Sequence, residues 1–181
     1  MKTEFEVRVL EINHDEIIKK LEDLNATKVF EALQERKVYD FNPVDPMRWI
    51  RLRTNGLKTT LTIKDITEKT IDGTKELEIE VSDFNETDKI LNQFGYQSRS
   101  FQQNYRIQYN LDGVEIDLDS WPKIPEYMEI EGKNEEEVYS TLDKLGISKE
   151  DITTLDVDSI YDEVYGIEDI KHMPKLTFEE E

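Results

Sequence analysis

The 181-residue chain has no cysteine. That absence excludes disulfides and thiolate metal sites, and it makes an intracellular setting the simpler expectation. Only two histidines occur, His14 and His172, far apart in sequence, so a histidine metal centre is not expected. No apolar run approaches the length of a bilayer span, and the opening M-K-T-E-F-E lacks the apolar stretch of a signal peptide. No G-x-x-x-x-G-K-[ST] phosphate loop, fixed-period repeat or low-complexity linker is present. Basic charge is scarce: 23 Lys and Arg face 42 Asp and Glu, for a net charge of −19. Such a field opposes general nucleic-acid binding and attachment to anionic membranes. These absences lead to the expectation of a soluble, cytoplasmic, single-domain protein. An anionic ligand would need the few basic residues gathered in one place.

What is present is alternation. In T-E-F-E-V-R-V-L-E-I, Glu4, Glu6 and Arg8 share one face of a strand, and Phe5, Val7 and Val9 share the other. The same pattern recurs down the chain. Arg51 and Arg53 share a face with Trp49, and Lys64 pairs with Thr62. Glu76, Glu78 and Glu80 oppose Leu77, Ile79 and Val81. Arg106 stands with Asn104 and Gln108, Asp119 with Glu115 and Asp117, and Glu129 with Glu131. A half-solvated sheet would explain each strand singly. The sorting of sign points elsewhere. Basic residues concentrate on some strands and paired glutamates on the first and last, whereas a wet face mixes signs to gain cross-strand pairs. If this face lines a closed barrel, Glu4, Glu6, Glu129 and Glu131 offer hard oxygen ligands for Mg²⁺ or Mn²⁺. The arginines and lysine then offer donors for phosphates.

Turn signals organise the rest. Asn55-Gly56 and Asp112-Gly113 mark hairpins, and Asn13 or His14, Asn85 and Asn134 open helices. Residues 28–41 are expected to hold a second and a third strand, and Asn42–Pro46, bracketed by prolines, no regular structure. A short helix is expected near Val157–Tyr165, a short strand in M-P-K-L-T-F, and fraying at Glu179–Glu181. About eight strands and three or four helices, joined mostly by short turns, imply an α+β fold built on an antiparallel sheet or barrel. The two tryptophans are expected to pack rather than to stack on a base.

The ordered set E-F-E-V-R, W-I-R-L-R, L-T-I-K, E-L-E-I-E, R-I-Q-Y, D-L-D-S-W-P and Y-M-E-I-E-G resembles the CYTH superfamily, the triphosphate tunnel metalloenzymes. The core motifs occupy residues 1–145, with 146–181 as a helical extension and tail. The stretch D-S-W-P-K-I-P-E-Y-M-E-I-E-G is most similar to members classed as class IV adenylate cyclases. The resemblance implies a closed eight-stranded antiparallel β-barrel with helices outside and a charged lumen. It also implies a metal-dependent enzyme acting on triphosphates: tripolyphosphate, thiamine triphosphate or ATP, by hydrolysis or by cyclisation. Carried over by position, Glu4, Glu6, Asp119, Glu129 and Glu131 would bind metal. Arg8, Arg51, Arg53, Lys64 and Arg106 would hold the triphosphate. Lys64 with Tyr39 would activate water. Two positions depart from the family. Arg8 replaces a lysine and cannot serve as a base, and Asn104 stands where many members carry a lysine. These departures keep open a module that binds polyphosphate without turnover. Monomer and homodimer are both compatible with the sequence.

Overall fold

A strand with a charged face and an apolar face must bury one and hydrate or neutralise the other. Here the apolar face points outward, on several strands beneath helices, and the charged face points into a barrel. The computed structural model describes residues 1–168, 170 and 173–178. Its elements run β1 (Lys2–Val9), α1 (His14–Asp23), β2 (Thr27–Asp45), β3 (Arg48–Thr54), β4 (Thr59–Ile66) and β5 (Thr74–Val81). They continue α2 (Phe84–Gln93), β6 (Ser98–Leu111), β7 (Val114–Ser120), β8 (Tyr127–Gly132) and α3 (Glu135–Leu145). The C-terminal segment adds β9 (Ile152–Thr153), α4 (Val157–Ser159), a π-helical turn (Ile160–Val164) and β10 (Lys175–Leu176). His172 and Glu179–Glu181 lie outside the described residues.

Eight strands close into an antiparallel barrel in the order β6-β2-β3-β4-β5-β1-β8-β7, with β7 returning to β6. The expected barrel is therefore present. β9 pairs with Arg8 and Val9 at the end of β1, and β10 runs parallel to Phe101 and Gln102 of β6.

Outside the barrel, Val7, Ile107, Ile116, Leu118, Met128 and Ile130 form a core with Leu21 of α1 and with Val138, Leu142 and Leu145 of α3. On another side, Leu91 of α2 packs with Tyr39, Ile50 and Leu52. Local chemistry fixes the helix ends. Asn13 and Asn134 accept the Glu16 and Glu137 backbone N–H groups, and Gly146 ends α3 at φ 69°. The second helix starts earlier than expected, because Asp83 rather than Asn85 accepts the Glu86 N–H, at 2.8 Å.

Three other expectations change. The first strand ends at Val9, short of Ile12. Residues 28–41 form one long strand, not two, because β2 bridges two neighbours, β3 and β6, along most of its length. The strand assignment also continues through Asn42–Asp45. Its register with β3 shifts between Asp40 and Asp45, where Pro43 has no N–H to give to a ladder. The expected C-terminal helix and strand are both present. There Ile160, Tyr161, Ile170 and Leu176 pack on Trp121, Ile124 and Tyr127.

Candidate functional site in the barrel

Inward side chains of all eight barrel strands line a cavity of about 510 Å³. The first is β1, whose Glu4, Glu6 and Arg8 are all buried. The opposite wall is basic, with Arg36 on β2, Arg51 and Arg53 on β3, Lys64 on β4 and Arg106 on β6. The acids come from β1, β5, β7 and β8. Parity explains this placement: a strand that buries leucines and isoleucines against outer helices must send its intervening residues inward.

Buried charges must find partners, and most do so across neighbouring strands. Arg8 reaches Glu129 at 2.7 Å, Glu6 at 3.1 Å and the Leu155 carbonyl at 2.9 Å. Lys64 sits between Glu76 at 2.6 Å and Glu4 at 3.2 Å. Arg51 meets Glu76 at 3.3 Å, and Arg53 meets Glu78 at 3.8 Å. Arg106 forks onto Asp119, with Nε at 2.8 Å and Nη2 at 2.6 Å, and also contacts Asp117.

These pairings shift the titrations. Burial alone would raise Glu129, but Arg8 and Arg106 overcome it and hold the carboxyl at about 2. Glu131 behaves oppositely. Burial and the nearby Glu4 push it to about 7, with Glu115 adding to the rise and Lys2, at 3.1 Å, opposing it. Arg53 is held at about 10 by burial, Arg51 and Arg106.

The structure brings Glu4, Glu6, Arg8, Arg51, Arg53, Lys64, Arg106, Glu129 and Glu131 to one cavity. Three expectations are corrected. Tyr39 is not in the cavity. It is fully buried on the outer face of β2 beneath α2, and its hydroxyl donates to Asp88 at 2.7 Å. Burial and Asp88 push its titration up, so it is no base, and a Lys64–Tyr39 pair cannot form across the barrel wall. Asp119 does not line the cavity but sits behind Arg106, held also by Asn104 Nδ2 at 2.9 Å. Nor do the five expected metal ligands converge. Among the described residues, no three acidic or histidine groups stand close enough to hold an ion as they are. The reason is that each acid leans on a base: Glu4 on Lys64, Glu6 and Glu129 on Arg8, Glu131 on Lys2.

The donor chemistry nevertheless fits a hard cation. Glu131 is raised by Glu4 and Glu115, which marks a carboxylate-rich spot where Lys2 is the neutralising group. A divalent ion there would relieve the same crowding.

Several cavity residues were not singled out from sequence: Arg36, Glu76, Glu115, Trp121 and Tyr127. Trp49 also lines the cavity, so both tryptophans face it instead of only packing. Glu76 and Glu115 had a signal, since each continues an alternating acidic face. Arg36 had none, because both faces of Q-E-R-K carry charge.

No curated protein sequence matches the chain. Solved structures do. A Pyrococcus horikoshii protein is 26% identical, with a TM-score of 0.71 over 84% of this chain and 95% of its own. A candidate adenylate cyclase from Vibrio parahaemolyticus is 15% identical, with a TM-score of 0.73 over 88% and 97%. A Hippeastrum candidate adenylyl cyclase, described as having a dominant triphosphatase activity, is 16% identical, with a TM-score of 0.57 over 92% and 96%. The family model for the CYTH domain matches residues 2–154, and the chain belongs to the CYTH domain family.

Proposed function

We propose that the protein is a divalent-metal-dependent enzyme that hydrolyses a triphosphate compound inside the barrel. The observation that carries this reading is the division of one 510 Å³ cavity into a basic wall, with Arg36, Arg51, Arg53 and Arg106, and an acidic wall, with Glu4, Glu115 and Glu131. A metal polyphosphate is complementary to both walls at once.

CYTH enzymes are divalent-metal dependent in general. In this chain Glu4 and Glu131 are the acids that would hold Mg²⁺ or Mn²⁺, giving up Lys64 and Lys2 to do so. When bound, such an ion supplies Lewis acidity and order to the phosphate oxygens. The arginines bind and orient the triphosphate and stabilise charge that develops on the transferring group. Lys64 contributes charge held between Glu4 and Glu76. With Tyr39 outside the barrel, proton acceptance from water falls to a carboxylate of the acidic wall that the ion does not occupy.

A second reading is the class IV adenylate cyclase reaction, in which a ribose hydroxyl attacks the α-phosphorus and pyrophosphate leaves. The flat ring of Trp49 in the cavity favours it, because it offers a surface for a base. The test is product analysis with tripolyphosphate, ATP and thiamine triphosphate, first with Mg²⁺ and then with Mn²⁺. Released phosphate is the expected result. Cyclic AMP with pyrophosphate would replace hydrolysis by the cyclase reading. Tight binding without product would reduce the protein to a binding module. No binding, with no effect of Glu4→Ala or Arg53→Ala, would overturn the tunnel reading altogether.

A further inference from the structure

Arg36 differs from the other cations of the cavity. Arg8, Arg51, Arg53, Lys64 and Arg106 each lean on a carboxylate. Among the described residues Arg36 contacts only neutral groups. Its Nη2 donates to Oδ1 of Asn104 and, at 3.4 Å, to Oε1 of Gln34. Its Nε, like those of Arg8 and Arg51, is buried without an acceptor among the described residues. The guanidinium lies over the Trp121 ring, 4.5 Å from the centroid.

Its surroundings are positive. In the β2–β3 ladder the residue directly opposite Arg36 is Arg53. Like charges in that position repel. Burial, together with Arg51, Arg53 and Arg106, pushes Arg36 well below the usual guanidinium value, and Asp119 does not compensate. Unanswered donors gather at the same end of the cavity. Among the described residues the Trp121 Nε1–H and the Tyr127 hydroxyl are both buried without hydrogen-bond partners, and the two side chains belong to one packed cluster. A surplus of positive charge beside donors that lack acceptors is the complement of an acceptor-rich anion.

We propose that Arg36 is an anion-binding residue of the tunnel, gripping a phosphoryl group of the triphosphate at the Trp121 end, with Arg53 opposite it. The proposal rests on the triphosphate reading and adds a binding residue to it. It also accounts for Asn104. A lysine at that position would bring its ammonium to where Arg36 Nη2 now sits, so the charge comes from β2 instead of β6. Asn104 becomes a positioning residue: its carbonyl holds Arg36 while its amide donates to Asp119.

The test uses the full chain and inorganic tripolyphosphate, first with EDTA and then with Mg²⁺. Tryptophan fluorescence reads binding, because Trp49 and Trp121 are the chain's two tryptophans and both line the cavity. Arg36→Gln is expected to weaken binding about ten- to a hundredfold, the range for losing a charged hydrogen bond. Adding Asn104→Lys to that variant should recover most of the loss. Gln34→Glu puts a carboxylate beside Arg36, and should likewise weaken binding while raising the melting temperature of the unliganded protein. Arg36→Gln should melt, without ligand, no lower than the unsubstituted chain, since it removes a repelled charge. If Arg36→Gln binds as well as the unsubstituted chain while Arg53→Gln does not, the Arg36 proposal fails and the triphosphate reading stands. If the unsubstituted chain does not bind tripolyphosphate, both fail. An Arg36→Gln chain that does not fold, or a Gln34→Glu chain that binds normally, would make Arg36 structural and overturn the proposal.

Discussion

Arg8 shows how one longer side chain redirects a position. The resemblance places a phosphate-binding lysine there, but the guanidinium is taken up by Glu6, Glu129 and the Leu155 carbonyl, and so ties the first strand to the C-terminal segment. Tyr39 makes the complementary point. Its hydroxyl serves α2 through Asp88, so Tyr39→Phe should leave turnover of any triphosphate unchanged. The same substitution should cost about 1 kcal/mol of stability, the usual net worth of such a hydrogen bond. Urea denaturation and steady-state assays on the same preparation measure both; a loss of turnover without a loss of stability would return Tyr39 to the mechanism. Glu131 gives a pH signature. Its carboxyl stands at about 7 in the fold against an ordinary 4.5. The folded state then holds this proton more tightly than the unfolded chain. Its contribution to stability is full below the unfolded value and is lost as pH rises through the folded one. In EDTA, the melting temperature of the unsubstituted chain should fall more steeply than that of Glu131→Gln between about pH 5 and pH 8. Mg²⁺ should recover the loss at the upper end. Parallel slopes for the two chains would remove Glu131 from the account.

At the scale of elements, the strands were legible wherever one face was purely apolar. Phe5, Val7 and Val9 on β1 and Val114, Ile116 and Leu118 on β7 pack outside and force the other face inward once the barrel closes, whereas Leu77 and Ile79 on β5 keep the same alternation but stay exposed. The second strand was not legible for the same reason in reverse. In Q-E-R-K-V-Y the faces Gln34, Arg36, Val38 and Glu35, Lys37, Tyr39 are equally mixed, so alternation does not say which is inside. Family position placed Tyr39 in the lumen, whereas parity places Arg36 there. The metal acids were legible as residues but not as a cluster, because sequence does not show which base each carboxylate meets. Gly132 illustrates a packing constraint that alternation also hides. A Cβ there would lie 3.1 Å from Glu137 Cβ and from Val138 Cγ2, and 3.3 Å from the Asn134 carbonyl oxygen. The end of β8 thus meets the first turn of α3 so closely that a Cβ there would push its neighbours back by a few tenths of an ångström. Gly132→Ala should cost about 1–2 kcal/mol, as overpacking does. The midpoint of urea unfolding should fall with its slope unchanged. An unaltered midpoint would mean that α3 can shift outward freely.

At the scale of the whole molecule, charge of opposite sign is sorted by depth. The net charge is −19, yet the cavity contains Arg8, Arg36, Arg51, Arg53, Lys64 and Arg106. A triphosphate therefore approaches against a repulsive long-range field and is attracted only near the basic wall. Salt acts differently on these two stages. At about 0.1 M the Debye length is near 10 Å, so added salt screens the approach, while contacts inside a desolvated cavity are screened much less. The association rate of tripolyphosphate should consequently rise with KCl from about 0.01 M to 0.15 M, the reverse of a basic phosphate-binding protein. The dissociation rate should change little over the same range, because it reports the buried contacts. Mg²⁺ should also raise the association rate, since it lowers the charge of the incoming anion. Stopped-flow tryptophan fluorescence separates the two rates, with Trp49 and Trp121 reporting arrival in the cavity. An association rate that falls with salt would mean that the basic wall steers the ligand from a distance, and that the acidic exterior leaves the mouth of the barrel open to anions.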